Sequence, residues 1–96
     1  MTIEIKRNTD EIILEITGRL DTITAPALDK TIHENFSGIK SLILDFKSLE
    51  YISSAGLRVL LSAQKRLKEN MRLKNVCDLV MEVFEITGFV DILEIE

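Results

Sequence analysis

Apolar and polar residues change their period several times along this 96-residue chain, as they do when strands and helices alternate. Ile3 and Ile5 alternate with Thr2, Glu4 and Lys6, the two-residue period of a half-buried strand. Polar Asn8-Thr9-Asp10 comes next, and Ile12, Leu14 and Ile16 repeat that period. So short a connection predicts an antiparallel hairpin. Gly18 reads as the end of the second strand and Arg19 to Thr24 as a loop. Thr24 is then a helix cap, with Pro26 in the first turn, where its missing N–H costs nothing. Leu28, Ile32 and Phe36, four apart, give that helix one apolar stripe, and Gly38 stops it.

Leu42-Ile43-Leu44 is apolar on both faces, as in a central strand covered by helices. The run continues through Asp45-Phe46 into a predicted short loop. A helical period then returns from Ala55 to about Glu69. Leu57, Leu60, Leu61 and Leu67 share one face with Gln64, Ala63 lies at its edge, and Lys65, Arg66, Lys68 and Glu69 mark a solvated end. A short strand is expected near Met71–Val76 and a helix near Leu79–Thr87, with Val80, Val83 and Phe84 inward and Gly88 as C-cap. Ile92 to Ile95 reads as a last strand. The order β-β-α-β-α-β-α-β predicts one α/β domain over residues 1–96, with a mixed four- to five-stranded sheet and right-handed helical crossovers.

Composition narrows the function classes. A net charge of -4 argues against non-specific nucleic-acid binding, which depends on Lys and Arg neutralising phosphates. The single cysteine, Cys77, cannot form an internal disulfide, which suits a reducing compartment. No stretch reaches the ~20 apolar residues of a spanning helix, so a cytoplasmic protein without membrane contact is expected. One His and one Cys cannot assemble a zinc site from soft ligands. Neither a Walker loop nor a Gly-rich dinucleotide fingerprint occurs, so no cofactor is expected. Asp21 and Asp45 as a magnesium pair is a weak reading, because acids at strand ends are common.

The informative segment is Tyr51-Ile52-Ser53-Ser54-Ala55-Gly56-Leu57, where a strand feeds an amphipathic helix. In open α/β sheets, partners and ligands bind beyond the carboxyl ends of the strands. The first N–H groups of a helix lack internal partners, and its dipole favours negative charge there. A phosphate on Ser53 or Ser54 would therefore be tolerated. Serine is equally a leading N-cap residue, and from the helix start alone that plainer reading is preferred. Arg58, one turn beyond Ser54, either meets a phosphate or acidic partner or is a solvated arginine. A catalytic serine is disfavoured, since Ile52 replaces the first glycine of the Gly-x-Ser-x-Gly elbow and the one histidine, His33, precedes the serine. His33 falls outside the apolar stripe of its helix and reads as a surface residue, and Cys77 as a small half-buried one.

Four segments in register carry a resemblance: Leu20-Asp21-Thr22, Leu42-Ile43-Leu44-Asp45, Ser53-Ser54-Ala55-Gly56-Leu57 and Glu82-Val83-Phe84-Glu85-Ile86-Thr87-Gly88-Phe89. Together they resemble the STAS family in its anti-sigma factor antagonist form, over nearly the whole chain. The resemblance implies helices packed mainly on one face of the sheet. The antagonists' switch motif reads Asp-Ser-(Ser/Thr/Ala)-Gly-Leu, and the serine after the aspartate is phosphorylated. Matching Gly56 and Leu57 puts the acceptor at Ser54 and Ser53 where the aspartate stands, a departure from the commoner pattern. Ser53 is then the cap.

By the same resemblance the chain is a non-enzymatic binding module, monomeric when free. The unphosphorylated form would bind an anti-sigma factor that is itself a serine kinase, releasing a sigma factor for transcription, and a serine phosphatase would restore it. Asp21, Thr22, Ser53, Ala55, Gly56 and Arg58, with Lys65 further along, are the expected partner-binding residues, while Tyr51 and Ile52 are either interface anchors or packed beneath the loop. The alternative is a phosphate-independent scaffold or assembly module in a signalling complex.

Overall fold

The computed structural model describes residues 1–35 and 40–96. Strand β1 (Thr2–Arg7) pairs antiparallel with β2 (Glu11–Leu20), and β2 pairs in parallel with β3 (Ser41–Ile52), which pairs in parallel with β4 (Met71–Lys74). The sheet order is therefore β1-β2-β3-β4. Helix α1 (Ala25–Asn35) connects β2 to β3, and α2 (Ser54–Leu67) connects β3 to β4. Helix α3 (Asp78–Thr87) comes after β4.

The alternation predicted for the hairpin decides which side of the sheet is dry. Ile12, Leu14 and Ile16 of β2 and Leu42, Leu44 and Phe46 of β3 are all buried, in one cluster with Leu28 and Ile32 of α1, Leu57 and Leu60 of α2, and Val80 and Phe84 of α3. The helices thus cover one face. The opposite face carries Glu4, Lys6, Glu15, Arg72 and Lys74, with an ion pair of 2.7 Å between Lys6 and Glu15. Asp45 also belongs to that face but is buried, its Oδ1 accepting from the Lys47 N–H and from Asn75 Nδ2, each at 3.0 Å. Lys65, Arg66, Lys68 and Glu69 are exposed, as expected of a solvated end. His33 is a surface residue whose Nε2 accepts from Arg66 Nη1 at 2.6 Å. Cys77 is half-buried, its Sγ 3.4 Å from the Leu49 carbonyl oxygen.

Four boundaries differ from expectation, each for a local reason. β2 does not stop at Gly18: the glycine sits inside the strand at φ +96°, beside a slip in register, and pairing continues to Leu20. No loop separates Phe46 from Tyr51, because β3 runs unbroken to Ile52. Its register against β2 slips between Glu15↔Asp45 and Thr17↔Ser48, and again between Gly18↔Leu49 and Arg19↔Tyr51, one extra residue in β3 each time. Those bulges bring Phe46, Leu49 and Ile52, three apart, to the same buried side. The last strand is reduced to one bridge, Leu73↔Ile95, because Phe89–Asp91 winds into a 3-10 turn after Gly88 ends α3 at φ +81°. Helix α2 begins at Ser54 and ends at Leu67, where Lys68–Asn70 tightens into a 3-10 turn. Phe36 and Gly38, expected in the first helix and at its stop, lie outside the described residues.

Candidate functional site

The carboxyl ends of β2 and β3 lie side by side, Leu20 paired with Ile52, and the Ser53 N–H donates to the Leu20 carbonyl at 2.9 Å. The pairing consequently brings together the 21–24 loop, which leaves β2, and the start of α2, which leaves β3. Gly56 sets how closely they meet. A Cβ at that position would lie 2.8 Å from Leu20 Cγ and 2.9 Å from Ile52 Cγ1, so the first turn of α2 presses onto the two strand ends only because residue 56 has no side chain.

The 21–24 loop is tied by its own polar groups. Oδ1 of Asp21 accepts from the backbone N–H of Ile23 and of Thr24, each at 3.0 Å, and lies 3.1 Å from Thr24 Oγ1. The Thr24 hydroxyl donates to the Arg19 carbonyl at 2.7 Å and accepts from the Asp21 N–H at 2.8 Å. These bonds, the Thr24 N–H foremost, favour the ionised carboxylate and hold its pKa below the usual range, with partial desolvation opposing them and Arg19 assisting. Thr24 stands directly before α1, as expected of its cap, but its hydroxyl turns back into the loop; only its carbonyl serves the helix, accepting from Ala27 and Leu28. Thr22 is exposed. Ile23 is 87% exposed, held outward by the turn that Asp21 builds.

The start of α2 is built the opposite way. Ser53 occupies the N-cap position at φ -103°, ψ 176°, yet makes no side-chain cap bond. Its Oγ is buried without a partner among the described residues, which corrects the expectation of a serine cap. The first intrahelical bond is donated by Leu57 to the Ser53 carbonyl at 2.9 Å, so the N–H groups of Ser54, Ala55 and Gly56 precede the hydrogen-bonded ladder. Ser54 is exposed, Ala55 packs half-buried against the core, and Gly56 is buried. Arg58 is exposed and makes no ion pair among the described residues. On a 3.6-residue helix Ser54, Arg58, half-buried Leu61 and Lys65 share one face, with Lys65 about 16 Å along the axis from Ser54.

Behind this edge, Arg19 lies over the Tyr51 ring at 4.0 Å from its centroid. Ile52 is buried and Tyr51 is 37% exposed, so of the two only Tyr51 reaches the surface. Asp45 is not part of the site. It pairs with Glu15, five residues before Leu20 in β2, which is about 17 Å along a strand, so Asp45 and Asp21 do not share an ion. No cluster of three potential metal-binding side chains occurs among the described residues.

Sequence reasoning passed over Ile23. The available signal was an isoleucine between two threonines, in a segment where neither the strand period nor the helix stripe offers a buried place for it.

The family model of the STAS domain matches residues 2–96. The chain belongs to the STAS family. It is 35% identical over 102 residues to the anti-sigma-B factor antagonist of Listeria monocytogenes, an alignment covering 100% of this chain and 89% of that protein. The crystal structure of an anti-sigma factor antagonist from Mycobacterium paratuberculosis superposes with a TM-score of 0.86 at 20% identity, over 98% of this chain and 83% of that one. The Bacillus cell fate determinant SpoIIAA in its phosphorylated form gives a TM-score of 0.74 at 16% identity, over 99% of this chain and 91% of that one. At those identities the two structures establish the STAS fold and nothing finer. The four-stranded mixed sheet with three helices is that fold.

Proposed function

We propose that this STAS domain is a partner-binding switch controlled by phosphorylation of Ser54. Unmodified, it binds an anti-sigma factor that is itself a serine kinase, and so frees a sigma factor for transcription. Phosphate on Ser54 breaks that contact, and a serine phosphatase restores it. The observation that carries the reading is the contrast between two adjacent hydroxyls: Ser54 is exposed at the first residue of α2, whereas Ser53 Oγ is buried. Only Ser54 is open to a kinase without local unfolding. The anti-sigma-B factor antagonist relative supports the partner class.

The contact surface in this reading is the edge formed by Asp21, Thr22 and Ile23 with Ser54, Ala55 and Arg58, while Ser53, its hydroxyl buried, and buried Gly56 shape that edge from beneath. Ile23 supplies the apolar anchor and Asp21 fixes its position. A phosphate adds about -1.5 to -2 charges and three acceptor oxygens, and a helix N-terminus accommodates both without melting. Within a formed interface that charge must be desolvated, beside an Asp21 carboxylate that stays ionised. Changes of that kind at buried interface positions cost about 2–5 kcal/mol, roughly 30-fold to several thousand-fold in affinity.

The test is intact-mass and peptide-mapping analysis of the protein from its native host during growth and stress. A single phosphate on Ser54 whose occupancy tracks the condition is expected. Phosphate on Ser53 would overturn the assignment of the acceptor, and an unmodified protein under every condition would favour the scaffold role.

A further inference from the structure

We propose that α3 carries a second docking surface, separate from the Ser54 edge, which receives the face of a basic amphipathic helix from another protein. Leu79, Val83 and Ile86 stand at i, i+4 and i+7 and form one row along the helix. Leu79 is 57% and Ile86 77% exposed, with half-buried Val83 between them. The core is served from the adjoining side by Val80 and Phe84, and half-buried Val83 also packs against it, so Leu79 and Ile86 are the apolar surface in excess of what folding uses.

Charge decides what covers it. Asp78, Glu82 and Glu85 flank the outer row on the side away from the core, and none of them makes an ion pair among the described residues. From Asp78 onward the chain holds Asp78, Glu82, Glu85, Asp91, Glu94 and Glu96 and no lysine or arginine, all twelve of which come earlier. Helix stability does not account for this. An acid in the first turn suits the dipole, but Glu85 stands in the last turn, where a cation is favoured and none is present. A second copy packed face to face would set these acids against themselves, and an anionic membrane would repel them. A helix presenting leucine-like side chains bordered by lysine or arginine satisfies both the row and its flank.

The test is an amide NMR titration of the isotope-labelled protein with a synthetic amphipathic helix of leucine and lysine, and with its leucine–glutamate counterpart, at low and high salt. Expected are shifts centred on Leu79–Ile86 with the basic peptide alone, binding weakened by added salt, and about a tenfold loss of affinity in Leu79→Ser and Ile86→Ser. Both side chains are largely exposed, so the variants remain folded, and Ser54→Asp leaves this binding unchanged. Absence of shifts on α3, equal binding of the acidic peptide, or unchanged affinity in both variants would overturn the proposal. Concentration-dependent self-association abolished by Ile86→Ser would overturn it too, assigning the face to a second copy.

Discussion

Two helix starts meet at one edge of this sheet, and they are finished in opposite ways. Ahead of α1, the Asp21 carboxylate accepts from the Ile23 and Thr24 N–H groups, and the Thr24 hydroxyl donates to the Arg19 carbonyl and accepts from the Asp21 N–H. Ahead of α2, the residue at the cap position makes no side-chain cap bond, and three N–H groups stand before the ladder. The first start is closed by its own chain and serves as a rigid mount for Ile23. The second is left open, with an exposed hydroxyl on its first residue. A switch needs both: a surface that does not move, and next to it a place where added charge is tolerated by the fold and felt by whatever binds.

The largest effect that would sharpen this contrast is on binding. Ser54→Asp is expected to weaken the complex with the cognate anti-sigma factor by roughly 30-fold or more, and Ser54→Ala to bind irrespective of kinase. Titration calorimetry checks both, with circular dichroism to establish that the fold is kept. An unchanged affinity of Ser54→Asp would mean that the open helix start is not where the partner sits.

Next in size is the joint that holds the two starts together. Gly56→Ala inserts a methyl group against Leu20, which is fully buried, and Ile52. Overpacking of this sort costs about 1–3 kcal/mol. Urea unfolding should therefore show a lower midpoint with an unchanged slope, and partner binding should weaken because the strand ends and α2 no longer meet as before. Stability equal to that of the parent would show that the contact yields easily.

A smaller effect tests the closed start. The Asp21 carboxyl has its folded pKa depressed, chiefly by the Thr24 N–H, so the folded state binds a proton less readily than the unfolded one. The resulting stabilisation is complete above the unfolded value of about pH 4 and fades as pH falls through the folded pKa. Asp21→Asn should remove that acid-side slope, bringing the stabilities of variant and parent together in acid, as unfolding at a series of pH values would measure. Parallel curves at all pH would show that the charge is not engaged with the loop.

How much of this was legible in the chain depends on whether a single period ran through each element. Ile12, Leu14 and Ile16 announced the hairpin, and Leu57, Leu60 and Leu67 the buried face of α2, though Leu61, read into that face, is half-buried at its margin and Ala63, read at the edge, is buried. Phe46, Leu49 and Ile52 fall three apart, a spacing that matches neither a flat strand nor a helix, so the second half of β3 read as a loop. Only the bulges, which depend on β2 as partner, restore the alternation. The candidate site was legible only as a motif, Asp21 and Ser54 standing in segments that resemble the family's. The bonding of each hydroxyl was not, because whether a serine caps a helix is set by the rotamer its surroundings leave it. The outward isoleucine at position 23 was legible only as an apolar residue with no element to bury it.

The smallest expected effect is the most discriminating. An N-cap serine usually contributes about 1 kcal/mol, which replacement by alanine removes. Ser53 makes no cap bond, and its buried Oγ has no partner among the described residues. Leaving a polar atom in that condition costs about 1–3 kcal/mol, and deleting it relieves that penalty while the void and lost contacts it leaves behind offset most of the gain. Ser53→Ala should therefore match or slightly exceed the parent in stability, within about 0.5 kcal/mol, in urea unfolding. It should also leave phosphorylation of Ser54 intact. A loss near 1 kcal/mol would mean that Ser53 caps the helix after all, and the two helix starts would then be closed alike.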